Sequence, residues 1–173
     1  MIELKSVSEL LGMKFFIPSY QRGYRWTEQQ VKDLLNDIWE FSNKKKQETE
    51  FYCLQPLVVK RNEEDILGKI KAARTIEEVK ALLKGSWEVI DGQQRLTTIF
   101  IILSELKEKN VYSLEYETRS DSKDFLKEIV ENKKDANIDY YHICQSKQTI
   151  SSWFQDDEDK KSKFKDALLG TSK

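Results

Sequence analysis

Trp87-Glu88-Val89-Ile90-Asp91-Gly92-Gln93-Gln94-Arg95-Leu96-Thr97-Thr98-Ile99-Phe100 is the stretch on which the reading of this chain turns. Trp87 to Ile90 suits a strand. From Leu96 onward the apolar period changes, and Leu96, Ile99, Phe100, Leu103 and Leu106 fall at helical spacing. The strand therefore runs without a spacer through Asp91-Gly92 into a helix. Gly92 lacks a Cβ, so the backbone can turn sharply there and approach an anion. A helix start offers unpaired amides and the positive end of the helix dipole, which suits a phosphate. Arg95, one turn in, can add a bidentate guanidinium contact to phosphate oxygens. Thr97 and Thr98 offer hydroxyls nearby, although at least one is as readily a packing residue. Taken alone, Gly-x-x-Arg carries little, because a glycine at such a junction is as readily only a turn.

Working outward, three places carry a Ser or Thr followed three residues later by Glu or Gln, a pattern that satisfies the amides at a helix start. They are Ser6 with Glu9, Thr27 with Gln30, and Thr75 with Glu78. The second opens an amphipathic helix with Val31, Leu34, Leu35 and Ile38 on one face. Before it, Lys14 to Ile17 reads as a short strand stopped by Pro18. Tyr52 to Val59 reads as a second strand with a buried Leu57-Val58-Val59 end, and residues 62–86 read as an insertion holding a short helix through Val79, Leu82 and Leu83. Tyr112, Leu114 and Tyr116 alternate with polar residues, as in a half-buried strand. Helices follow, one through Phe125, Leu126, Ile129 and Val130 and one from about Asp139 to Phe154. The Asp156 to Lys161 charge run reads as a solvated tail. This order predicts an α+β domain with a helical C-terminal part.

Composition sets limits. With 173 residues, 39% hydrophobic and 34% charged, and only six Gly and two Pro, the chain can bury a core and is helix-rich rather than disordered. No apolar run approaches the roughly 18 residues that span a bilayer, and Met1 to Lys5 lacks a signal-peptide layout, so the expectation is a cytoplasmic protein. Cys53 and Cys144 read as two buried thiols. One histidine, His142, argues against a zinc site, a Ser-His-Asp triad or a His-based nuclease within the chain. A net charge of −1 argues against a domain that grips DNA mainly by neutralising phosphates. Contact with DNA would then come from a local patch, another domain or a partner.

One such patch is Ile17-Pro18-Ser19-Tyr20-Gln21-Arg22-Gly23-Tyr24-Arg25-Trp26, which holds no acidic residue. Aromatics interleaved with arginine can stack a base or grip a phosphate backbone. They can equally pack the base of the next helix.

Taken in order, Pro18 with Gln21-Arg22, Leu54-Gln55-Pro56-Leu57-Val58-Val59, and Val89-Ile90-Asp91-Gly92-Gln93-Gln94-Arg95 resemble the ParB/sulfiredoxin-like superfamily. The resemblance is closer to the family named for its Asp-Gly-Gln-Gln-Arg motif, the N-terminal domain of GmrSD-type restriction endonucleases and of SspE proteins. Its opening, Ile-Pro-x-Tyr-Gln-Arg-x-Tyr-x-Trp, stands intact at Ile17 to Trp26, and the likeness covers roughly Val7 to Tyr116. It implies a small mixed sheet with packed helices: a ParB-like nucleotide-binding domain over residues 1–120 and a helical extension over 121–173. It also implies binding and hydrolysis of a nucleoside triphosphate, with Mg²⁺, coupled to attack on modified foreign DNA in phage defence. Sulfiredoxin has its catalytic Cys just after the turn glycine, where this chain has Gln93, so sulfinic acid repair is not expected. Restriction proteins of this kind carry a His-dependent nuclease domain that is not found before Lys173, so either the chain is a fragment or a partner supplies cleavage.

By that resemblance Gly92 and Arg95 take the phosphate-turn positions, with Gln21, Arg22 and Gln55 close by; Thr97 and Thr98, from their place on the helix, are further candidate nucleotide contacts. Gln93 or Gln94 would orient water, Asp91 would act through a metal, and Arg95 would stabilise charge on the phosphoryl group. Tyr20, Tyr24 and Arg25 are candidates for contact with a base or DNA. The expected partners are a nucleoside triphosphate, DNA held weakly, a nuclease domain or subunit, and a second copy of the chain. The alternative is a module that senses nucleotide or modified DNA without hydrolysis.

Overall fold

In the computed structural model, residues 3–44, 50–61, 70–79, 86–119 and 121–170 are described. The strands are β1 (Lys14–Ile17), β2 (Val58–Arg61), β3 (Ser86–Asp91) and β4 (Ser113–Tyr116). The main helices are α1 (Val7–Leu10), α2 (Glu28–Asn43), α3 (Gln93–Glu105), α4 (Ser122–Lys127), α5 (Ile138–Phe154) and α6 (Glu158–Leu169), with a 3-10 turn at Glu131–Ala136. The fold is α+β, as the element order predicts.

The four strands form one mixed sheet in the order β2-β3-β1-β4. β1 runs parallel to both neighbours, pairing Phe15 with Trp87 and with Leu114, while β2 runs antiparallel to β3. Alternation then puts Phe15, Ile17, Val89, Leu114 and Tyr116 in the core. Against them pack Val31, Leu34, Leu35 and Ile38 of α2 and nearly the whole of α3, which is buried from Leu96 through Leu103. A helix apolar all round belongs inside a core. Here it becomes a fixed mount for whatever its first turn carries.

Both anticipated capping boxes at the helix starts of α1 and α2 form, with Ser6 N donating to Glu9 at 2.7 Å and Thr27 N to Gln30 at 3.0 Å. Thr75 likewise accepts from Glu78 N at 3.1 Å. Residues 62–69 and 80–85 of the expected insertion, Leu82 and Leu83 among them, lie outside the described residues.

Four expectations need correction. The strand expected from Tyr52 begins only at Val58, because Pro56 has no N–H to give a ladder and Gln55 sits at φ 26°, and its Leu57-Val58-Val59 end is not buried, Val58 being exposed and its neighbours half-buried. The helix expected to reach Val130 ends at Lys127 and gives way to the 3-10 turn. Cys53 is exposed, and only Cys144 is buried. The charged tail, finally, is not loose: Asp157 caps α6, accepting from Lys160 N at 2.9 Å, and α6 buries Phe164, Leu168 and Leu169. Phe164 lies edge-on to Trp153 and Phe154, and Lys160 Nζ stands 3.5 Å from the centroid of Trp153. The charge run hides three apolar residues at helical spacing.

Candidate functional site

Gly92 is the hinge of the site. It is the N-cap of α3 in the left-handed region, at φ 92°, a conformation that costs other L-residues energy. A Cβ there would stand 3.1 Å from Leu57 Cδ1 and 3.3 Å from the Pro56 carbonyl oxygen. Glycine thus meets two demands, the turn itself and close approach of the 56–57 backbone. Among the described residues no side chain caps α3. The amides of its first turn carry the positive end of the helix dipole.

Arg95 follows half-buried, its guanidinium donating to Gln55 Oε1. Gln21 Nε2 donates to the carbonyls of Val89 at 2.9 Å and Ile90 at 2.6 Å, the last links of β3 before the turn. Asp91 is exposed at the strand end, opposite Val58. The structure therefore brings Gln21, Gln55, Asp91, Gly92 and Arg95 to one corner.

The two glutamines look the other way. Gln93 and Gln94 are buried and bind the backbone of the Arg22–Arg25 loop. Gln93 Nε2 donates to the Arg22 carbonyl, while Gln94 donates to Gly23 O at 2.9 Å and accepts from Arg25 N at 2.8 Å. Both amide atoms of Gln94 are thus engaged with this loop. Gln93 keeps only Oε1, which is buried without a partner among the described residues.

Thr97 and Thr98 are fully buried. Thr97 Oγ1 donates to Gln93 O and meets Tyr116 Oη at 2.6 Å. Thr98 Oγ1 donates to Gln94 O and meets Tyr24 Oη at 2.8 Å. Tyr24 is wholly buried, with Ser146 Oγ at 2.9 Å, and burial pushes its hydroxyl up to about 12. Neither threonine nor Tyr24 has surface to offer a ligand. Tyr20, by contrast, is 68% exposed, its hydroxyl donating to Glu88 at 3.1 Å, and Arg22 is exposed beside it.

Arg25 is committed inward. Its guanidinium donates to Tyr24 O at 2.6 Å and pairs with Asp139, which also lies 3.3 Å from Arg119 Nε. Sequence reasoning missed Asp139. An acidic residue just after Asn137 at a helix start reads only as a favourable charge on the dipole. Nearby His142 has its pKa lowered, by burial first and by the Arg25 charge second.

Among the described residues no three His, Cys, Asp or Glu side chains gather as a metal site, and no helix is long and apolar enough to cross a membrane. No curated protein and no solved structure matches the chain. The family model described as GmrSD restriction endonuclease, N-terminal domain, matches residues 6–171, running across the boundary expected near residue 120 and through α6. With nearly the whole chain covered, this protein belongs to the family of GmrSD restriction endonuclease N-terminal domains, and its setting is a restriction system.

Proposed function

We propose that the domain binds a nucleoside triphosphate at the Gly92 turn and hydrolyses it, and so gates DNA cleavage by a nuclease domain or subunit of a modification-dependent restriction system. The observation that carries this reading is the uncapped start of α3, held rigidly by a buried helix with Arg95 one turn in. Its amides and dipole suit phosphate oxygens, and Arg95 exchanges Gln55 for them and stabilises charge on the transferring group. Family membership supports the restriction setting. The exposed Tyr20 and Arg22 supply the face that meets DNA.

Asp91 needs an explanation beside a triphosphate, since like charges a few ångströms apart repel. Mg²⁺ between them removes the conflict, and it takes one or two carboxylates with the rest of its shell from phosphates and water. Asp91 alone fits a metal delivered by the nucleotide. Asp91 would hold the ion, which when bound would supply neutralisation of phosphate charge and activation of water, and the Asp91 carboxylate would align a water for attack.

A second reading, a nucleotide sensor without hydrolysis, is favoured by the engagement of both amide atoms of buried Gln94 with the loop backbone, which turns one of the two glutamines expected to orient water away from the corner. Phosphate release by wild type and Asp91→Asn, with magnesium and with EDTA, separates the two. Magnesium-dependent release in the wild type that is lost in Asp91→Asn supports the hydrolase. Binding without release establishes the sensor, and the absence of binding ends both.

A further inference from the structure

Resting on that reading, we propose that Asp139 is a positioning residue for the site, setting the first turn of α3 through the backbone of Arg22 to Arg25. The N-cap of α5 is already filled, because Asn137 Oδ1 accepts from Tyr140 N at 2.9 Å. Asp139 is therefore not required as a cap. Its side chain is only 6% exposed and lies between two arginines, Arg25 and Arg119, each about one-third exposed.

The loop backbone rests directly on this carboxylate. Gly23 is not in the left-handed region, so its backbone does not call for glycine. Space does: a Cβ on Gly23 would overlap the carboxylate of Asp139. From the residues so placed, three hydrogen bonds run to α3. Gln94 takes Gly23 O and Arg25 N, and Gln93 takes Arg22 O. Gln93 and Gln94 are also the residues whose own amides open the helix at the Gly92 turn. A single buried carboxylate on α5 thereby fixes where the phosphate-facing amides stand.

Stability alone does not account for this arrangement. Burying a carboxylate is costly, and an apolar replacement of similar volume is often as stable as a buried ion pair. What the pair does supply is a fixed place for the loop. Where chemistry depends on such placement, a shift of about 1 Å can cost on the order of a hundredfold.

A double-mutant cycle on the full chain tests the proposal, using Gly23→Ala, Asp139→Ala and the two together. The probe is inorganic tripolyphosphate with magnesium, which removes any contribution from the base. Affinity, urea midpoint and amide exchange at Arg25, which donates to Gln94, and at Leu96, which donates to Gly92 O, are measured for each. We expect each single variant to weaken tripolyphosphate binding by about tenfold or more and to speed exchange at those amides. The double variant is expected to be no worse than Asp139→Ala, since removing the carboxylate opens the space that a Cβ at position 23 needs. Should Asp139→Ala not fold, Asp139→Ser, which also vacates the space beside Gly23, takes its place. Additive losses in the cycle overturn the contact. A lowered urea midpoint with unchanged affinity and unchanged exchange at Arg25 and Leu96 makes Asp139 a structural residue only. If the wild type binds neither tripolyphosphate nor any of the four nucleoside triphosphates, the nucleotide reading falls, while the exchange measurements still decide whether Asp139 sets the turn.

Discussion

Replacing Gly92 by alanine probes the turn and the site together. At φ 92° an L-residue pays about 1–2 kcal/mol for the left-handed conformation. The new Cβ also meets Leu57 Cδ1 at 3.1 Å, Pro56 O at 3.3 Å and Leu57 Cα at 3.4 Å. Leu57 can move its side chain, but the carbonyl belongs to a backbone that must shift by a few tenths of an ångström, for about 1 kcal/mol more. The sum, roughly 2–3 kcal/mol, is affordable for a domain stable by about 5–15 kcal/mol, so the variant still folds. Urea unfolding followed by circular dichroism measures the loss. Gly92→Asn refines it, since asparagine tolerates the left-handed region better but brings the same Cβ. If strain dominates, Asn costs less than Ala; if crowding dominates, the two are equal. A loss below about 0.5 kcal/mol for Gly92→Ala would refute the reasoning, because surface substitutions typically cost no more.

Three further outcomes are expected. Tyr24→Phe should cost about 1 kcal/mol in urea unfolding, since it strips Ser146 Oγ of a buried partner while Thr98 keeps Gln94 O; a neutral result would show that the hydroxyl network does not hold the loop. Duplex DNA should bind this chain with a Kd no tighter than about 1 µM at physiological salt and weaken as salt rises, because Arg25 is already paired with Asp139 and leaves Arg22 as the loop's exposed cation; tight, salt-indifferent binding in a filter or anisotropy titration would contradict this. The folded-state pKa of His142 lies below its ordinary 6.5, so the unfolded chain takes the proton first, and the histidine's contribution is whole above pH 6.5 and lost as pH falls below it. Comparing urea midpoints of wild type and His142→Gln at pH 7.5 and pH 5.5 checks the sign: the wild type should lose more stability on acidification than the variant.

Much of the fold can be read from local pattern because its causes are local. The strand–turn–helix at Gly92, the capping boxes and the α2 stripe each depend on residues within a turn or two of one another. The α6 stripe was hidden by its own charge. Phe164, Leu168 and Leu169 are sparse among lysines and aspartates, and only contact with Trp153 and Phe154 gives them a core to join. The corner at Gly92, Arg95, Gln21 and Gln55 follows from motif order. The inward turn of Gln93, Gln94, Thr97 and Thr98 does not, since their spacing on a helix says nothing of which side another loop will cover. Asp139 is the extreme case. Its meaning lies in a glycine more than a hundred residues earlier, and no periodicity connects the two.

The central claim is that the start of α3 binds triphosphate, and its most direct test is the melting temperature of wild type and Arg95→Ala with each of the four nucleoside triphosphates, with and without magnesium. At a hundredfold excess over Kd a ligand adds about 2.7 kcal/mol, which for a domain of this size raises Tm by roughly 5–10 °C. The account predicts such a rise for at least one triphosphate with the wild type, larger with magnesium, and none for a folded Arg95→Ala. A wild type that no triphosphate stabilises, or an Arg95→Ala stabilised as much as the wild type, would contradict it.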